Sequence, residues 1–146
     1  MNKLLPIATV GVIGVVSAYV FSNQIKDKDD SASPITMVHG RPIASVRLPN
    51  EFTEIAMIGK RAFDAVCSDC HGKDASGRNG IGPPLVHKIY EPSHHSDAAF
   101  LRAVQNGVRA HHWRFGNMPK LQGVTDGDIK GIISYVRELQ RANGIE

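Results

Sequence analysis

Cysteine is nearly absent from this chain: of 146 residues only Cys67 and Cys70 are cysteines, so no disulfide framework can hold it together. Aromatic residues are also scarce, with one Trp, three Tyr and five Phe. No run of five like charges occurs, and the basic residues are not interleaved with aromatics. With a net charge of only +3, this argues against nucleic-acid binding. No internal repeat is present, which excludes solenoid arrays. The length suits one domain and little more.

What is present begins with an apolar run. Leu4–Phe21 holds 18 residues without a charge, preceded by Lys3 and followed first by Lys26. A lone Lys before such a run is the pattern of an export signal. Small residues at Val16–Ala18 suit cleavage, whereas the uncut run, at about 1.5 Å per residue, would span roughly 27 Å and nearly fill a bilayer core. Residues 1–22 are therefore expected to be a signal peptide or a membrane anchor. Either way the remaining chain lies outside the cytoplasm, in a bacterial periplasm and tethered to the inner membrane if the run is uncut. Residues 23–50 are polar, contain three prolines and show no sustained periodicity; they are expected to be a tether.

From residue 51 the pattern becomes helical. Ile55, Ile58, Ala62, Phe63 and Val66 fall at the spacing of one helix face that leads into Cys67. A Gly- and Pro-rich stretch follows. A second helix is expected after Ser96, with Phe100, Leu101, Val104 and Val108 as its stripe and Gly107 at its end. Thr125 and Asp128 form a capping-box pattern ahead of Ile129, Ile132, Ile133, Val136 and Leu139, with Gly144 beyond. The expected fold class is all-α: three to four helices over residues 51–146, with a thin core that a large prosthetic group would help to fill.

Two cysteines separated by two residues serve several chemistries. A structural zinc site needs four Cys or His ligands, and the doublets His94–His95 and His111–His112 could formally complete one, but the spacing fits no usual finger. A disulfide oxidoreductase places its CxxC after a strand at the start of a helix, and no strand pattern surrounds Cys67. His71 completes C-x-x-C-H, the signature of c-type haem attachment, in which the thiols of Cys67 and Cys70 bind two vinyl groups and the His71 imidazole binds the iron. One haem c, covalently attached with its iron, is the expected cofactor.

The opposite axial position needs another ligand. Met37 lies in the tether, and Met57 sits on the first helix, on or beside its packing face. Met118 follows His71 by 47 residues, in a loop, with Pro119 restricting the backbone behind it. Met118 is the expected second ligand. His87, just after "GPPL", is an alternative.

Over about Glu51–Ile145 the chain resembles the class I c-type cytochromes, monohaem proteins with His/Met ligation. The resemblance rests on Gly59 and Phe63 before the motif, on Cys67, Cys70 and His71, on "GPPL" at Gly82–Leu85, on "GNMP" at Gly116–Pro119 and on Tyr135. It implies that the first and last helices cross closely, with Gly59, Phe63 and Tyr135 packing there. It also implies that the Pro83 carbonyl accepts a hydrogen bond from His71, which orients the ligand. The family does not require the paired histidines. For His94–His95 and His111–His112 three readings stay open: surface residues near a haem edge, partners for the propionates, or ligands for an extra metal. Trp113 and Arg114 could also meet propionates, or Trp113 could simply pack over the ring.

The expected function is non-catalytic one-electron transfer with redox proteins, such as a dehydrogenase, an oxidase or another cytochrome, by a monomer or a complex subunit. Lys60, Arg61 and Lys73 near the motif could steer such a partner. A haem-bearing subunit of a membrane or periplasmic oxidoreductase is the alternative. A haem enzyme or gas sensor is a third reading, and would need an open iron position.

Overall fold

The computed structural model describes residues 38–146. They belong to one compact unit, Met37–Glu146. The elements run α1 (Glu54–Val66), α2 (Ser68–His71), 3-10 turns at Lys73–Ala75 and Lys88–Tyr90, α3 (Asp97–Asn106) and α4 (Asp126–Ala142). Among the described residues there is no strand, only isolated bridges between Arg78 and Gly82 and between Val108 and Met118. The all-α expectation stands. Also among these residues, no helix is long and apolar enough to cross a membrane. The expected signal or anchor, residues 1–22, lies outside them.

Helix α1 begins where Thr53 caps it, its hydroxyl accepting the Ala56 N–H at 3.3 Å. The same hydroxyl donates to Glu138 Oε1 at 2.5 Å, and the Thr53 N–H donates to Oε2 at 3.1 Å. One carboxylate on α4 therefore holds the start of α1. Thr53→Ala removes a cap and leaves the mostly buried Glu138 short of a donor. It should cost about 1–2 kcal/mol of stability in denaturant unfolding, with Thr53→Ser recovering most of the loss.

The buried face of α1 matches the expected one at Phe63 and Ala62 but not at its three larger aliphatics. Ile55, Ile58 and Val66 are 44–53% exposed, as is Met57 at 47%. The residues that pack are Ala56, Gly59 and Phe63, with Ala62 beside them. The cause is how closely α1 approaches α4. A Cβ on Gly59 would lie 1.8 Å from the Gly131 carbonyl oxygen, so backbone meets backbone and large aliphatics are pushed to the flanks. Around the crossing, Tyr135 packs on Phe63 and Phe52 with centroids 5.5 and 5.3 Å apart.

Helix α4 forms as the sequence suggests. Thr125 accepts the Asp128 N–H at 3.2 Å, and the Asp128 carboxylate accepts the Thr125 N–H at 3.0 Å. The Thr125 hydroxyl also donates to Asp128 Oδ2 at 2.6 Å, and this bond first, then the one from the Thr125 N–H, holds the Asp128 pKa below its ordinary value. Ile129, Ile132, Ile133, Val136 and Leu139 are all buried. Helix α3 ends where the sequence places its end, and only Val108 leaves the expected stripe. It stops at Gly107, in the left-handed region at φ 76°, and Val108 pairs with Met118 instead of extending the helix.

A second difference concerns the tether. Residues 38–50 lie along the folded unit rather than trailing from it. Ile43 and Ala44 donate to the Ser76 carbonyl, Gly40 donates to Asn79, and Asn79 donates back to Arg41. Asn143, just past α4, exchanges hydrogen bonds of 2.9 and 2.8 Å with the Arg47 backbone, and Val46 packs on the core. Backbone pairing with a distant loop leaves no hydropathy period, which is why the sequence hides this strap.

Candidate haem site

Helix α1 ends at Cys67, whose N–H bonds to the Phe63 carbonyl at 2.8 Å. The single turn of α2 then carries Cys70 and His71, and Gly72 at φ 74° lets the chain leave it. No side chain fits at Gly72, where a Cβ would lie 2.5 Å from the Gly77 carbonyl oxygen. His71 is 9% exposed, and its Nδ1 lies 2.9 Å from the Pro83 carbonyl. A carbonyl only accepts, so Nδ1 carries the proton and the Nε2 lone pair is left for a metal. Burial lowers the His71 pKa against the opposing pull of Pro83, which favours the neutral ring that a ligand needs. Burial, with the neighbouring Cys70 thiol, pushes the Cys67 pKa up to about 11.

The loop that carries Met118 is pinned at both ends. Met118 and Val108 exchange backbone hydrogen bonds of 3.0 and 2.9 Å, Leu121 donates to the Val104 carbonyl, and Asn117 accepts the Ala110 N–H. The Met118 side chain packs against the small cluster of Val104, Ile129 and Ile133. Gly107 makes this closure possible, since a Cβ there would come within 2.6 Å of the Met118 carbonyl oxygen.

Cys67, His71 and Met118 line one cavity of about 360 Å³. Its walls are mainly apolar and include Leu85, Phe100, Val104 and Ile132. Cys70 is exposed and does not line it. Met57 faces solvent, and the His87 side chain caps its own 3-10 turn by accepting the Ile89 N–H; neither lines the cavity. Gly59, Phe63 and Tyr135 sit at the helix crossing, as the resemblance implied.

Two contributors are not evident from the sequence. Tyr90, at the end of the second 3-10 turn, lines the cavity, and burial pushes its pKa up to about 12. Its only sequence signal is a lone aromatic between the Gly- and Pro-rich stretch and the α3 cap Ser96. Arg137 on α4 is the other. It is 7% exposed and bonds to Asp97 and to the carbonyls of Tyr90 and His95, hanging one cavity wall on the last helix. Trp113 has the one buried side-chain nitrogen among the described residues that lacks a partner. Its indole lies near enough to favour ionisation of Tyr90, but not in hydrogen-bond alignment.

The cytochrome c family model matches residues 56–140. The chain belongs to the cytochrome c family. No curated protein matches it in sequence. The domain carries covalently attached haem c with its iron, and its function is haem-based electron transfer. Such domains are typically extracytoplasmic. The residues present fit the group. An apolar cavity suits the macrocycle, a neutral imidazole with one free lone pair suits the iron, and the unpartnered Trp113 N–H suits a propionate carboxylate.

Proposed function

We propose that this cytochrome is a closed-site electron carrier, with Cys67 and Cys70 as haem anchors and His71 and Met118 as axial ligands. The observation that carries the reading is that His71 and Met118, 47 residues apart, line the same apolar cavity. The haem supplies one-electron chemistry, its iron alternating between the ferric and ferrous states. His71, held by the Pro83 carbonyl, keeps one orientation and tautomer through that change. Met118 would supply a thioether, which favours ferrous iron and would raise the potential over that of a second imidazole. With His71 and Met118 both holding the iron, no position would be left for oxygen or peroxide. The walls formed by Leu85, Phe100 and Val104 exclude water, and the Trp113 N–H would donate to a propionate carboxylate.

The carrier works outside the cytoplasm, held near a membrane by residues 1–22, and exchanges electrons with redox proteins. Of the cations near the motif, Lys60 is paired with Asp64 at 2.5 Å, whereas Arg61 and Lys73 are exposed and remain to steer a partner.

Carbon monoxide tests the closed site. The reduced protein is expected to keep its absorption spectrum under carbon monoxide at neutral pH. Immediate formation of a carbonyl adduct would show an open iron position and favour the enzyme or sensor reading.

A further inference from the structure

The four histidines that the family does not require come together. His94 and His95 leave the turn before α3, and His111 and His112 belong to the loop that carries Met118. Ring centroids lie 5.4 Å apart for His94–His112, 5.2 Å for His95–His112 and 4.2 Å for His111–His112. One nitrogen from each of His94, His95 and His112 lies within 4.8 Å of the others.

We propose that His94, His95 and His112 form a second metal site, for a transition-metal dication that prefers imidazole, with His111 or water in the fourth position. Hydrogen bonding prepares it. His95 Nδ1 lies 2.6 Å from the Ile89 carbonyl, and His111 Nδ1 lies 2.9 Å from the Arg109 carbonyl. Both must donate from Nδ1, so each presents an Nε2 lone pair, the arrangement found around metal-bound histidine. Arg137 fixes the turn from the other side through the His95 carbonyl.

Ligands on a tetrahedral ion at about 2.0–2.1 Å are roughly 3.3 Å apart, so the nitrogens need to close by about 1.5 Å at most. The exposed His94 and His112 can supply that by side-chain rotation. A neutral all-imidazole set selects copper(II) first and zinc(II) next, and rejects magnesium and calcium. Without a metal the grouping is unfavourable to charge. Desolvation and then the neighbouring His111, His95 and His94 hold the His112 pKa below its ordinary value. His95, His111 and His112 also line the haem cavity, so ion and haem would share a wall. The site does not depend on which residue is the second axial ligand.

Titration of the purified holoprotein with Zn²⁺ in a calorimeter, and with Cu²⁺ followed by electron paramagnetic resonance, tests this. One ion of each is expected to bind per chain, with nitrogen hyperfine structure on the copper signal and no binding of Mg²⁺. His94→Gln/His112→Gln should weaken binding by on the order of 100-fold, and His39→Gln should leave it unchanged. The haem absorption spectrum reports whether the double variant folds. If it does not, His94→Gln alone decides: His94 does not line the cavity, and its loss should weaken binding about 10-fold. Equal binding by wild type and His94→Gln, or no zinc uptake because propionates already engage these rings, would overturn the proposal.

Discussion

Met118→Ala is expected to lower the reduction potential by on the order of 0.1 V, a fraction of the roughly 0.8 V range that axial ligation commands. It should also let the reduced protein bind carbon monoxide. The thioether is the softer ligand and stabilises ferrous iron, so its loss favours the ferric form and opens one face. Stability should fall too, by about 2–3 kcal/mol, because the side chain packs against Val104, Ile129 and Ile133. Met118→His separates the two effects. It should restore a closed iron that rejects carbon monoxide, at a potential still below that of the parent. Spectroelectrochemical titration of the three proteins measures this, and an unchanged potential in Met118→Ala would remove Met118 from the iron.

The largest effect on stability is expected from a single methyl group. Gly59→Ala places a Cβ 1.8 Å from the Gly131 carbonyl oxygen and 2.1 Å from its carbon, where only backbone can give way. The α1–α4 crossing must open, at about 3 kcal/mol or more. Gly131→Ala, from the other side of the same contact, meets Gly59 Cα at 3.2 Å and Gly59 N at 3.3 Å. That strain is partly offset by the roughly 0.8–1 kcal/mol that alanine gains over glycine within a helix. Thermal unfolding of the two holoproteins should therefore differ widely, although both substitutions are Gly→Ala at one crossing. Equal melting temperatures would mean that the helices cross elsewhere.

Features that depend on neighbours in sequence were legible. The C-x-x-C-H pentapeptide, the Thr125–Asp128 capping box and the five-residue apolar face of α4 all appear where the pattern places them. Features that depend on distant neighbours were not. Periodicity places Ile55, Ile58 and Val66 on the inner face of α1 beside Ala62 and Phe63, yet the backbone contact of Gly59 with Gly131 leaves those three aliphatics on the flanks. Glycine inside a helix reads as a weakness in propensity, so Gly131 passed unnoticed. The strap at 38–50 is held by backbone groups, which every residue carries alike. The two histidine doublets were visible individually, but only the fold brings residues 17 and 18 positions apart into ring contact.

Helix α4 contributes Glu138 to the start of α1, Gly131 to the crossing, Ile132 to the cavity and Arg137 to its far wall. It is also the last of the described helices. A ribosome therefore produces the attachment motif more than 50 residues before the element that closes the cavity around it. Until α4 is made, the start of α1, the helix crossing and the wall that carries Tyr90 and His95 all lack their partner, so the pocket closes only when that one helix docks.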